Sequence, residues 1–205
     1  MMFARAALVA LTLIAPPLAA PAAAQPINGL PAPAFTATDA NGKTVSLADF
    51  KGKTVVLEWT NSGCPFVRAH YDSGTMQARQ REARGLGVVW LSINSGAPGK
   101  QGHVTGAGAR AEIAANTAAP SHYLLDADGK IGRLYAAKTT PHMFVIRPDG
   151  IIAYQGAIDD KPTAVEADAK AATPWALNAA KAVLAGKAPT PAVTRPYGCS
   201  VKYAG

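Results

Sequence analysis

The stretch from Val55 to Val67, VVLEWTNSGCPFV, limits the possible folds more than any other part of the chain. A short apolar run with β-branched residues ends in Thr60-Asn61-Ser62-Gly63 and passes at once into Cys64 and Pro65, which reads as strand, tight turn and helix. Pro65 suits the first helical position, because the N–H it lacks would have no intrahelical partner there. Cys64 then sits where a helix begins. Unpaired amides and the positive end of the helix dipole stabilise an anion at such a place and lower a thiol's pKa. A reactive thiolate is one reading of this cysteine; a structural cysteine, buried or disulfide-bonded, is the other.

The chain has 205 residues, enough for one domain with a sizeable core. Arg5, the apolar run 6–15 and Ala22-Ala23-Ala24 before Gln25 have the pattern of a secretory signal peptide. The expected organisation is a signal peptide over residues 1–24, a folded domain over 25–186 and an extended tail over 187–205 carrying Cys199. The apolar run is too short to span a bilayer, and no later stretch approaches about 18 uninterrupted apolar residues. A soluble exported protein with no stable membrane span after cleavage is therefore expected, and the signal's likeness to those of bacterial envelope proteins suggests the periplasm. Cys64 and Cys199 are the 2 cysteines of the chain, and in an oxidising compartment they are free to pair. Removing Arg5 lowers the formal net charge from +7 to +6. The densest basic cluster, Arg79, Arg81 and Arg84, falls in a helical stretch without aromatic interleaving, which argues for a solvated face and against a nucleic-acid partner.

Along the chain, residues 35–38 read as a short strand, Asn41-Gly42 as a hairpin signal, and Ser46 with Asp49 as a capping box before one helical turn. After the Cys64 turn a helix is expected through His70 and Tyr71, interrupted near Ser73-Gly74, resuming over 75–84 and ended by Gly85 and Gly87. Residues 88–93 are apolar enough for a central strand covered on both faces. The Gly-rich segment 95–108 reads as a mobile loop near the site, followed by a helix over 109–116 and a strand over 122–125. Asp126-Ala127-Asp128-Gly129 is a turn rather than a calcium loop, since no further ligands follow at EF-hand spacing. Residues 143–146 and 151–154 form a hairpin around Arg147-Pro148-Asp149-Gly150. A last helix has Thr173 as N-cap, Pro174 at its first position and Gly186 past its end. Strand–helix–strand units followed by a hairpin and a helix give an α/β sandwich with a mixed sheet.

In the order strand, Cys64 at a helix start, Thr139-Thr140-Pro141-His142-Met143-Phe144-Val145-Ile146, then the Asp149-Gly150 hairpin, the chain resembles the thioredoxin-like superfamily. Within it, the likeness is to the redoxin branch of alkyl hydroperoxide reductase and thiol-specific antioxidant proteins. The resemblance covers about residues 33–185 and implies a three-layer α/β/α sandwich with a central mixed sheet and an N-terminal hairpin. It also implies that Pro141 is cis, faces the active cysteine and presents the backbone of Thr140 to a peptide or mixed-disulfide partner. The departures are as informative. The position three after Cys64 is Val67, so no Cys-x-x-Cys pair exists, and Asn61 stands where peroxiredoxins carry threonine. Peroxide activation would need replacement donors, for which Asn61, Ser62 and the amides of Phe66 and Val67 are candidates.

The site residues expected are Cys64 as nucleophile, Cys199 as resolving thiol, and Asn61 and Pro141 beside them, with no cofactor and no metal. A low-pKa thiol can attack a peroxide to give a sulfenic acid that a second thiol converts to a disulfide, or it can attack a protein disulfide. The expected partners are accordingly a thiol reductant or a disulfide-bearing protein, with a peroxide as possible substrate. A permanent Cys64–Cys199 bridge that merely pins the tail stays open, since closing a loop of about 135 residues could stabilise the fold by on the order of 4–5 kcal/mol. So does a redox-inactive module holding a peptide or copper, with Cys64, His70 and His142 as the conceivable metal set. Arg68 could stabilise a thiolate or lie on the solvated surface. Glu58 could be a buried proton acceptor or point to solvent. Trp59 and Trp90 read as core.

Overall fold

The computed structural model describes residues 27–205, and the expected signal peptide over residues 1–24 lies outside them. Strands β1 (Thr36–Asp39) and β2 (Thr44–Ser46) form the expected N-terminal hairpin, followed by a 3-10 turn, Leu47–Phe50, that Ser46 and Asp49 close as a capping box. Strand β3 (Val55–Trp59) leads through the Cys64 turn into helices α1 (Pro65–Asp72) and α2 (Thr75–Gly85). Then come β4 (Val89–Asn94), α3 (Gly106–Ala115), β5 (His122–Leu125) and the short α4 (Lys130–Leu134). The chain ends with β6 (Thr139–Thr140), β7 (His142–Ile146), β8 (Ile152–Gly156), α5 (Glu166–Ala171), α6 (Trp175–Leu184) and β9 (Cys199–Ser200).

Seven strands make one mixed sheet in the order β2-β1-β5-β4-β3-β7-β8, with β3, β4 and β5 parallel and the remaining pairs antiparallel. The central strands are apolar on both faces because both are covered. Val55, Leu57, Trp59, Leu91, Ile93, Phe144 and Ile146 pack on one side with Ile131 and Tyr135. Val56, Trp90, Met143 and Val145 pack on the other with Met76 of α2 and Ala176, Leu177 and Ala180 of α6. The result is an α/β/α sandwich in which the neighbouring strands β3 and β7 bring the Cys64 turn beside Pro141.

Several features depart from the sequence reading. Helix α3 begins at Gly106 rather than 109, within the segment expected to be a loop, because the Thr105 side chain caps it by accepting from Gly108 N. Helix α6 begins one residue later, with Pro174 rather than Thr173 at the cap, because the Thr173 amide donates to the Asp160 side chain at 2.8 Å and Pro174 has ψ 82. Helix α5 has no cap signal, although Glu166 and Asp168 in its first turn suit the dipole. The tail is more than an extension: Val201 is buried against the first core cluster, the Val201 amide donates to Lys138 O, and Tyr203 packs there under the Arg133 guanidinium.

Two buried histidines give the fold an acid-sensitive component. His70 and His142 are 1% and 6% exposed. Burial holds the pKa of each near about 4, the Asp159 carboxylate only partly opposing it at His70. Both side chains are therefore neutral in the folded protein, while the unfolded chain takes up their protons as pH falls through about 6.5. The unfolded state binds the extra protons, so stability falls on acidification across the window from about 6.5 to 4. Each histidine accounts for on the order of 3 kcal/mol over that window. Urea unfolding midpoints between about pH 7 and 4.5 should fall steeply, and the slope should lessen in His142→Gln.

Candidate active site

The turn that carries Cys64 is closed by its own residues. The Cys64 amide donates to Asn61 O at 3.0 Å, Gly63 N donates to Asn61 Oδ1 at 2.8 Å, and the Cys64 carbonyl accepts the first helical bond, from Arg68 N, at 2.9 Å. Cys64 is thus the N-cap residue of α1, with Pro65 at its first position. The segment 95–105 packs over this turn: Gln101 Nε2 donates to Gly63 O and Asn61 Nδ2 donates to Gln101 O at 3.2 Å. Further bonds from Asn94 Nδ2 to Gly102 O and from Ala97 N to Lys202 O tie the same segment to the sheet and the tail.

Opposite the turn, the Thr140–Pro141 peptide is cis, as the family resemblance implies. Thr139 and Thr140 pair antiparallel with Ser200 and Cys199, so the edge beside Pro141 is occupied by the chain's own C-terminal segment. Gly198 makes this possible: its φ is +118, and a Cβ there would lie 2.2 Å from Thr140 O. Cys64 Sγ and Cys199 Sγ are 2.6 Å apart, and the Cys64 thiol also faces Thr140 O at 3.1 Å.

The two sulfurs are electrostatically unequal. Burial pushes the Cys64 thiol up, but the Cys199 thiol, the Val67 amide, the Thr140 side chain and the Cys199 amide together bring it below its ordinary value. The Thr140 hydroxyl itself is buried without a hydrogen-bond partner, and the direct contact of Thr140 with the sulfur is through its carbonyl oxygen. Cys199 is pushed up to about 11 by burial and by the adjacent Cys64, against smaller opposing effects of Lys202 and the Phe66 amide. An anion on Cys64 with a protonated Cys199 donating to it is the favoured arrangement of the dithiol. Cys64 is fully buried and Cys199 is half-buried, so the outer sulfur is that of the tail.

Other expected site residues are placed differently from one another. The Asn61 side chain is engaged at both its oxygen and its nitrogen within the turn and loop, and Ser62 donates to Glu112 Oε1 at 2.5 Å. Of the candidate donors, the Val67 amide helps to lower the Cys64 pKa and the Phe66 amide that of Cys199, although the Cys64 side chain makes no cap hydrogen bond. Arg68 pairs with Asp72 at 3.2 Å on the exposed surface. His142 accepts the Lys138 amide at Nδ1 and lies on the Phe144 ring, with a centroid separation of 4.8 Å. His70 turns instead toward Asp159 at 3.7 Å. Glu58 does not reach solvent. It is fully buried, with Tyr71 Oη donating to one oxygen and Gln80 Nε2, Trp90 Nε1 and Ser92 Oγ donating to the other. Among the described residues, no three His, Cys, Asp or Glu side chains are grouped to hold a metal ion, and no helix is long and apolar enough to cross a membrane.

Sequence reasoning missed Gly198 as the residue admitting the tail. Glycine directly before the second cysteine was the available signal, since a positive φ is needed where backbones approach closely.

The fold recurs in known proteins at low identity. The chain is 25% identical to a hypothetical protein of Sinorhizobium meliloti 1021 whose crystal structure superimposes with a TM-score of 0.73, covering 87% of this chain and 95% of that one. A putative thiol:disulfide interchange protein DsbE from Chlorobium tepidum, 25% identical, matches with a TM-score of 0.52 over 64% of this chain and 85% of its own. The thiol-disulfide oxidoreductase ResA of Bacillus subtilis (strain 168) is 24% identical over 123 residues, which are 60% of this chain and 63% of that relative's length. The fold is thioredoxin-like. Residues 29–155, more than half of the chain, match the AhpC/TSA family from one end of the sheet to the other, and the chain belongs to that family.

Proposed function

We propose that the protein is an exported thiol–disulfide oxidoreductase whose redox pair is Cys64 and Cys199, cycling between dithiol and disulfide. The observation that carries this is the 2.6 Å approach of two sulfurs that stand 135 positions apart in the chain, on a tail segment paired to the strand before Pro141. Cys64 is the nucleophile, Cys199 the resolving thiol, and Pro141 fixes the strand that both face. The names carried by the ResA and DsbE relatives support exchange with disulfide-bearing partners, and the N-terminal pattern around Arg5 supports a periplasmic location. Exchange needs no organic cofactor; a separate thiol reductant returns the pair to the dithiol.

Peroxide is the second candidate substrate, favoured by the lowered pKa of Cys64 beside a thiol able to resolve a sulfenic acid. Disulfide exchange is preferred because the Asn61 and Ser62 side chains are committed elsewhere. The test is to treat the reduced protein separately with stoichiometric glutathione disulfide and hydrogen peroxide, following loss of two hydrogens by intact mass. Faster closure with the disulfide is expected. Faster closure with peroxide would reverse the preference, and two thiols unchanged by both reagents would overturn the redox pair.

A further inference from the structure

Away from the sulfurs, a buried polar cluster lies where the tail crosses the domain. Asp159, between β8 and α5, is fully buried and receives Tyr197 Oη on Oδ1 at 2.5 Å. Its Oδ2 faces Arg79 Nη1 of α2 at 3.3 Å and His70 Nε2 of α1 at 3.7 Å, and the same His70 nitrogen is 3.4 Å from Tyr197 Oη. Arg79 also donates to Ala169 O at 3.3 Å, so α1, α2, α5 and the tail meet at one carboxylate. The Tyr197 ring meets Phe66 edge-on at a centroid distance of 5.9 Å, and Phe66 is the second residue of α1, two positions after Cys64.

A buried ionic cluster is a poor way to gain stability, because desolvation offsets most of the attraction, and apolar packing would serve as well. It is a good way to fix a geometry, since a phenol can satisfy this carboxylate in few positions. Only Gly198 separates Tyr197 from Cys199, and that glycine has no space for a side chain against Thr140 O. We propose that Tyr197 is a positioning residue, latched by Asp159, His70 and Arg79, that sets Cys199 against Cys64. The proposal rests on the redox-pair reading and names the device that makes two distant cysteines behave as a local pair.

Closure with glutathione disulfide shows where the latch acts. The Cys64 thiolate attacks one glutathione sulfur, forming a mixed disulfide and releasing one glutathione thiolate. Cys199 then loses its proton and attacks Cys64 Sγ, releasing the second glutathione, which takes up that proton. One glutathione disulfide is reduced to two thiols as the protein dithiol is oxidised. The latch governs the second step, whose rate follows the effective concentration of Cys199 at the mixed disulfide.

The experiment equilibrates full-length wild type, Tyr197→Phe and Gly198→Ala with glutathione buffers of known ratio, and counts dithiol, mixed-disulfide and bridged forms by intact mass. Tyr197→Phe keeps the ring and removes only the hydroxyl. It is expected to lower the closure constant by about tenfold or more, a rise of about 30 mV in potential per tenfold, with glutathionylated Cys64 accumulating. Gly198→Ala should move the same partition without touching the cluster. A purely structural role would lower the urea midpoint of the reduced protein and leave the partition alone, overturning the proposal. Closure within about twofold of wild type in Tyr197→Phe would overturn it as well, whatever Gly198→Ala does. A wild type that never bridges would sink the redox pair and the latch together, whereas a wild type and variants that bridge equally would sink the latch alone.

Discussion

Replacing Cys64 by serine is expected to lower thiol–disulfide turnover by about three orders of magnitude or more, whatever the partner disulfide. The argument is one of ionisation: the surroundings of Cys64 favour an anion, which a serine hydroxyl cannot supply near neutral pH. Cys199 is a poor substitute, because burial raises its thiol above the ordinary value and it stands on the tail rather than at the N-cap of α1. Cys199→Ser should fail differently, with one round of attack leaving a stable mixed disulfide on Cys64. Steady-state reduction of a peptide disulfide coupled to a thiol reductant measures the first effect, and intact mass of the product measures the second. A Cys64→Ser protein retaining more than about a tenth of wild-type turnover would remove the nucleophile from the scheme.

Glu58→Leu should destabilise the protein by about 3–5 kcal/mol, the largest stability effect expected of a single substitution here. The carboxylate stands on β3 in register with Ser92, facing the cluster of Val56 and Trp90, and four donors converge on it. Leucine roughly fills the space but leaves an indole N–H, two hydroxyls and an amide without that acceptor. Glu58→Gln keeps an oxygen for Gln80, Trp90 and Ser92 and lets Tyr71 reverse its role, so a loss of about 1–2 kcal/mol is expected. Urea unfolding of the reduced proteins separates the two variants. Equal losses would mean that the negative charge matters and the hydrogen bonds do not.

How far the sequence reveals this molecule depends on the range over which each feature is encoded. The strands of residues 54–59 and 88–93 were legible because burial on both faces makes them largely apolar, Glu58 and Ser92 apart. Cys64 at a helix start was legible because Pro65 and the preceding turn residues are adjacent to it. Pro141 as a cis residue came from the family resemblance, and no local pattern specifies it. The two-residue strands β6 and β9 carry no periodicity, so their pairing could not be read. Asp159 and Tyr197 are 38 positions apart, and nothing near either announces the other. Glu58 looked equally fit for core or solvent because its four partners come from α1, α2 and β4, elements that meet only after the sheet has formed.

The unequal exposure of the two sulfurs also bears on how a partner reaches the proposed redox pair. Cys64 is fully buried and Cys199, half-buried, lies outside it, so the tail segment would have to shift before a partner sulfur meets Cys64. Oxidation and reduction by one reagent retrace the same path, so an adduct on Cys64 would require that shift in both directions.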